Sequence, residues 1–404
     1  MLNTLGVIKN KNILFLQGPM GVFFKKLDIL FTLEGAKTYK IGFNAGDWFF
    51  SRRKNYVAYR DKRENYSTFI ENFLQKEKID KIFLFGDCRF YQSISIVVAK
   101  KLGVDIFVFE EGYIRPNFIT MEKYGVNNYS YISREARFYN EIKLHKNIQV
   151  KETYPSQMKM LLSAAIYYAV SNVLSYKYPN YIHHRNFSAI KELFYGVRSL
   201  IRKIIFPIYE KEYLSLIQGK LSKKYFFVPL QTYNDFQILE HSEYKSIEKF
   251  IIEVLDSFAK NTSKEYLIFK HHPVDRGRKN YKKFILKQAE FLNIKERILV
   301  FFDVHLPTCL KNSLGTITIN STVGLSSLYH KIPTITLGNA IYDIEGLTCK
   351  GISLDVFWKN RTLPNMKLLK KYRQFIIDNT QLNASFYGKL PEFSFEKNKY
   401  KKQG

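Results

Sequence analysis

The feature that most constrains the fold is an alternation that occurs twice. Short apolar runs, each stopped by glycine, proline, asparagine or an acidic residue, alternate with stretches of helical period. In the first half the runs are Asn12–Leu16, Tyr39–Phe43, Lys81–Phe85 and Asp105–Phe109. Helices are expected up to Leu33, over Ser67–Glu77 and over Gln92–Leu102, and Asp47–Arg63 reads as a basic, aromatic loop with some helix. In the second half, Tyr225–Val228, Tyr266–Phe269, Ile298–Phe302, Thr316–Ile319 and Thr334–Leu337 alternate with helices over Ser246–Lys260, Tyr281–Leu292, Leu306–Lys311 and Val323–His330. Apolar strands set between helices are those of a parallel sheet covered on both faces.

A chain of 404 residues suits two such domains. The expected boundaries are 1–150 for an N-terminal Rossmann-like domain, 151–223 for a helical connecting region and 224–404 for a C-terminal Rossmann-like domain whose last helices return to the first. That is an α/β, GT-B-like organisation with a cleft between the halves. Other two-domain folds share it, so it does not name a function. Within the connecting region Met158–Leu174 is the most apolar stretch, and burial is expected over an interfacial position. No run of about 18 apolar residues occurs and the first residues lack a signal-peptide pattern, so no membrane span is expected.

Lys and Arg number 63 against 36 Asp and Glu, a formal charge of +27. Such an excess calls for anionic partners: nucleic acid, phosphorylated small molecules or a membrane face. Tyr181–Tyr225 alone holds nine Lys or Arg against three Glu. Cys88, Cys309 and Cys349 are too few and too scattered for a disulfide framework or a zinc site, which fits a reducing, cytosolic compartment.

Two strand ends in the second half carry chemistry. The run Tyr266–Phe269 stops in Lys270, His271, His272 and Pro273, followed by Asp275, Arg276 and Gly277. Ligands of open parallel sheets bind beyond the carboxyl ends of the strands, so cationic and hydrogen-bonding groups fall where an anion would lie. Pro273 biases His272 to an extended backbone and so gives its imidazole a direction. The run Thr316–Ile319 ends in Asn320, Ser321 and Thr322 before a helix, which sets backbone N–H groups and a positive dipole end beside two hydroxyls. Taken singly, these are also what a surface turn and a plain N-cap look like. Arising from strand ends of one half-sheet, they point to a nucleotide-phosphate pocket. The run Tyr225–Val228 leads into Pro229, Leu230 and Gln231. The acidic candidates are Asp87, the Glu110–Glu111 pair and Asp235. Glycosyl transfer needs a carboxylate nucleophile or base and a group to handle the acceptor proton. There is no P-loop, no GxGxxG, no DxD-like motif and no metal-spaced His/Cys cluster, so neither metal nor cofactor is expected.

Eight stretches in order resemble the capsule polysaccharide synthesis family of the KpsS/LipB type, a bacterial group similar to β-Kdo transferases. They are FLQGP (Phe15–Pro19), FGDCRFY (Phe85–Tyr91), EEGYIRPNFIT (Glu110–Thr120), HHR (His183–Arg185), VPLQTYNDFQILEHS (Val228–Ser242), KHHPVDRG (Lys270–Gly277), NSTVGLSSLYHKIP (Asn320–Pro333) and FWKN (Phe357–Asn360). The resemblance implies transfer of Kdo from CMP-Kdo to a lysophosphatidylglycerol-type lipid, beginning the poly-Kdo linker of a capsule. The work would be done by a cytoplasmic protein held peripherally on the inner membrane with other capsule biosynthesis and export proteins. The first domain would serve the acceptor and the second would bind the CMP-sugar. The resemblance implies cytidine monophosphate against His272, Pro273, Ser321 and Thr322 with Lys270 nearby, and His271, Asn320 and Gln231 belong to the same candidate set. The resemblance further implies a β-configured donor and product, hence net retention, and on that reading Asp235 is the expected nucleophile and Glu111 or Glu110 the expected acid/base. A CMP-sugar has one phosphate, so a His-Pro site without metal is chemically sensible, as in bacterial sialyltransferases.

Two readings from other classes stand beside this one. A non-catalytic assembly component of the capsule machinery would tolerate loss of His272 or Asp235. A nucleic-acid-binding protein would account for the charge, but no helix-turn-helix, RNA-recognition or OB pattern is present.

Overall fold

A computed structural model describes residues 5–145, 149–183, 189–233 and 244–393. The chain forms two compact units. The first takes the described residues up to Tyr131, those of His145–Ala189 and those from Gln374 onward; the second takes the described residues of Ile132–Leu144 and Ile190–Arg373. Residues 151–223 are thus divided, their first part lying in unit 1 and their second in unit 2. Two Rossmann-like α/β units in one chain is the organisation expected from the sequence.

In unit 1, strands β1 (Asn12–Phe15), β2 (Lys37–Gly42), β3 (Tyr56–Ala58), β4 (Lys81–Phe85) and β5 (Asp105–Glu111) are parallel, and β6 (Ile119–Lys123) runs antiparallel to β5. Their order is β6-β5-β4-β1-β2-β3. The sequence showed neither β3, inside the stretch read as a loop, nor β6. Because β6 pairs Thr120 with Glu110 and Ile119 with Glu111, β5 continues through both glutamates instead of stopping before them. Apolar layers cover both faces, one around Leu14, Ile41, Ile82 and Val108, the other around Phe15, Phe83, Phe107 and Phe109.

In unit 2, strands β7 (Tyr225–Pro229), β8 (Tyr266–Lys270), β9 (Ile298–Phe301), β10 (Gly315–Thr318) and β11 (Thr334–Thr336) form a wholly parallel sheet in the order β11-β10-β7-β8-β9. Every residue of β7 and β10 is buried, which is why both read as uninterrupted strands. After the helix Met366–Thr380, β12 (Gln381–Leu382) pairs antiparallel with β6 as the seventh strand of the first sheet.

The helix Gln157–Val173 corrects an expectation. Tyr167 is its one buried residue, while Met158, Leu161 and Leu162 are exposed. Its apolar content had pointed to burial, but the side that meets the rest of unit 1 is narrow and is held by polar contacts of Tyr167 and Ser171. No described helix is long and apolar enough to cross a membrane.

Candidate functional site

In unit 2 the chain leaves β7 toward β8 and β9, then returns to build β10 and β11 on the other side. The crevice beyond the carboxyl ends of β7 and β10 is therefore the topological switch point, where ligands of open α/β sheets bind. Gln231, just past β7, and Asn320, just past β10, meet there. The Gln231 amide donates to Asn320 Oδ1 at 3.0 Å, and the Asn320 backbone N–H donates to Gln231 Oε1 at 3.3 Å. Ser321 follows as the N-cap of the helix Thr322–Tyr329, its hydroxyl accepting from Val323 N at 3.2 Å and its carbonyl accepting from the Tyr342 hydroxyl. Tyr342 can reach because Gly324 has no Cβ, which would otherwise collide with the phenol oxygen. Ser321 and Thr322 are half-buried at the positive end of that helix, a position suited to an anion.

The Lys-His-His-Pro segment lies on the adjacent strand, where Lys270 pairs with Pro229. Its members differ in their surroundings. Lys270 turns inward and donates to Phe302 O at 3.0 Å, with burial lowering its pKa. His271 is buried between Phe302, at a ring separation of 4.4 Å, and Tyr281. Its Nδ1 lies 3.3 Å from Phe301 O, and its Nε2 accepts from Tyr281 N at 2.8 Å. Burial pushes its pKa down to about 4, so the ring is neutral with its proton on Nδ1. Both nitrogens thus face backbone groups, and the residue positions the loop. His272 is half-buried and caps the turn Pro273–Gly277, its Nδ1 accepting from Val274 N at 3.2 Å. That bond puts the proton of the neutral ring on Nε2, a donor suited to a phosphate oxygen. Pro273 is exposed at the start of the turn.

The turn is anchored from below. Arg276 grips Asp303 with both arms of its guanidinium, one contact at 2.6 Å. Glu210 accepts from Phe302 N at 2.6 Å and Asp303 N at 2.7 Å. Asp275, in the same turn, accepts from Tyr233 N at 3.2 Å. Sequence reading missed Glu210 and Asp303, because only the fold carries them to the loop.

Unit 1 has its own switch point, between β1 and β4, and acids dominate there. Gln17, past β1, donates to the Asp47 carboxylate at 3.2 Å and to the Tyr167 hydroxyl at 3.0 Å, while Arg89 donates to Gln17 Oε1 at 3.3 Å. Tyr167 in turn donates to Asp47 at 3.0 Å. Beneath them Lys40 is buried against Leu16 O, and burial pushes its pKa down to about 8 although Asp47 and Asp28 oppose the shift. Glu110 is half-buried; desolvation pushes its carboxyl up to about 7, with the Glu111 N–H, 2.9 Å away, pulling the other way. Glu111 beside it is exposed. Asp87 is buried and committed to structure, accepting from Val126 N at 2.8 Å and from the Cys88 thiol at 3.0 Å. Asp235 lies outside the described residues. The strand-end Gln17 was legible in the sequence, but its partners Asp47 and Tyr167 were not. Among the described residues no group of three or more His, Cys, Asp or Glu is placed to hold a metal ion.

Comparison with known proteins identifies the family. A family model described as capsule polysaccharide biosynthesis protein matches residues 80–387. This chain belongs to that family. It is 37% identical over 382 residues to the capsule polysaccharide export protein KpsS of Escherichia coli, covering 94% of this chain and 98% of that protein. It is 36% identical over 392 residues to the capsule polysaccharide modification protein LipB of Neisseria meningitidis serogroup B, covering 94% and 92%. Among solved structures, the β-Kdo 2,7 transferase KpsC of Thermosulfurimonas dismutans aligns over 89% of each chain at 14% identity with a TM-score of 0.40.

Proposed function

We propose that this capsule-family member is a retaining glycosyltransferase that moves β-Kdo from CMP-Kdo onto a lysophosphatidylglycerol-type lipid at an anionic membrane surface. The observation that carries the proposal is the unit 2 switch point. Gln231, Asn320, Ser321 and Thr322 sit at the ends of β7 and β10, and the His272 turn follows β8, two strand spacings or about 10 Å from β10. In the proposal the helix N-terminus and His272 Nε2–H hold the single phosphate of the donor, and Gln231 and Asn320 fix the crevice floor. Lys270 and His271 act indirectly, by setting the course of the loop.

Retention requires two displacements. Asp235 attacks the anomeric carbon, CMP leaves, and the acceptor hydroxyl then displaces the carboxylate while a base removes its proton. Glu110, titrating near neutrality, suits that proton-handling role better than Asp87, whose carboxylate is engaged by backbone. Glu111 is the alternative on the same strand.

The test is incubation of the purified protein with CMP-Kdo and a fluorescent lysophosphatidylglycerol, read by mass spectrometry. An acceptor heavier by one Kdo is expected, with Asp235→Ala and His272→Ala separating chemistry from donor binding. No product, together with no shift of Tm by CMP-Kdo, would overturn the transferase reading. It would favour the non-catalytic assembly component, a role in keeping with the export name of the Escherichia coli relative.

A further inference from the structure

The helix Ala189–Tyr209 is amphipathic in the reverse sense. Phe194, Val197, Leu200, Ile201, Ile204 and Ile208 are 49–71% exposed. All but Leu200 recur at steps of three and four, which sets them in one stripe, and Leu200 adjoins it. The opposite face meets protein and bears the polar groups. Arg202 donates to Arg276 O at 2.6 Å, and Phe206 stacks on Phe302 at a ring separation of 4.5 Å. Tyr195 passes so close to Gly277 that a Cβ there would strike its carbonyl oxygen. A helix lying on a soluble surface normally turns its apolar stripe inward.

Charge complementarity indicates what covers the stripe. The helix holds Lys191, Arg198, Arg202 and Lys203 against a single acidic residue, Glu192. By helical phase Arg198 and Lys203 fall at the two edges of the stripe. Apolar side chains between two cationic edges match an anionic bilayer, with the stripe entering the acyl boundary and the cations reaching the phosphates. A protein groove would have to supply an acidic rim along both edges, whereas a planar anionic surface supplies one everywhere.

We propose that the helix Ala189–Tyr209 docks this protein on an anionic phospholipid bilayer, lying in the plane of the interface. Its inward face holds the Lys270–Gly277 loop, so docking sets that loop one helix diameter, roughly 10 Å, from the lipid. The docking locates where the proposed lipid acceptor would be met. It is argued from the helix alone, so loss of Kdo transfer and loss of docking are separately measurable.

The test is co-sedimentation of the full chain with vesicles of phosphatidylcholine, with and without phosphatidylglycerol, at low and high salt. Binding that needs phosphatidylglycerol and weakens with salt is expected. Ile204→Glu/Ile208→Glu should weaken it about tenfold or more with an unchanged circular-dichroism melt. Ile204→Trp supplies a readout independent of lost binding, and brominated lipid should quench its emission. The proposal is overturned if the double variant sediments like wild type, or if neutral vesicles bind equally well. Absence of quenching while the protein sediments would also overturn it. So would a double variant whose change is from dimer to monomer with vesicle binding intact.

Discussion

The two sheets reverse strand order at equivalent places, β1/β4 in unit 1 and β7/β10 in unit 2, yet the crevices are chemically opposite. In unit 1 the strand ends carry Gln17, Asp87 and Glu110, and a packed network of Asp47, Tyr167 and Arg89 fills the switch point. In unit 2 the strand ends carry an amide pair, two hydroxyls at a helix N-terminus and His272, while the acids Glu210 and Asp303 are occupied beneath the loop. The same topology thus yields one acidic crevice and one suited to an anion. The difference comes largely from residues just past the strands, joined in unit 1 by Glu110 near the end of β5 and by Tyr167 from the helix Gln157–Val173.

If the division is right, the largest effect comes from the proposed nucleophile. Asp235→Ala should reduce Kdo transfer about 10⁴-fold or more while CMP still raises Tm; retained transfer would break the assignment. Glu110→Gln should lower turnover by about 10²–10³-fold and abolish the pH-rate limb near 7, which a merely structural residue would leave in place. For the loop anchor, Arg276→Ala strands Asp303 in a largely buried site and should cost about 3 kcal/mol in denaturant unfolding.

His271 and Glu110 should also answer pH with opposite signs. His271 has a folded pKa of about 4 against an ordinary 6.5, so the unfolded chain binds the extra proton between those values. Its stabilising contribution is complete above 6.5 and falls away toward 4, by about 3 kcal/mol in all. Glu110 is raised from 4.5 to about 7, so the folded state holds the extra proton and that contribution declines as pH rises through the window. Melting curves from pH 4.5 to 8 should flatten at the acid end in His271→Gln and gain stability at the alkaline end in Glu110→Gln. Equal curves for wild type and His271→Gln would show that the buried ring is not linked to folding. The smallest effect is that of His272→Ala, about tenfold weaker CMP-Kdo binding with Tm nearly unchanged. A large loss of Tm would instead make His272 a second structural histidine.

Much of this was legible in the residues. Strands such as Lys81–Phe85 and helices such as Leu306–Lys311 were bounded correctly because apolar period and stop residues are local properties. The clustering of Gln231 with Asn320–Thr322 followed from strand ends, since a parallel sheet brings all its carboxyl ends to one edge. What the chain could not disclose was how each side chain would be used. Lys270, His271 and His272 are consecutive and polar, yet two turn inward and one remains partly open, as burial and backbone partners from Phe301, Phe302 and Tyr281 decide. Asp87 and Glu110 look alike as strand-end acids. Only β6 and the segment after it engage one and leave the other desolvated near neutrality. Strand and helix are set by neighbours a few residues away, whereas hydrogen-bond use and burial are set by partners such as Phe302 for Lys270 and Val126 for Asp87, brought in from other elements of the fold, which no local pattern records.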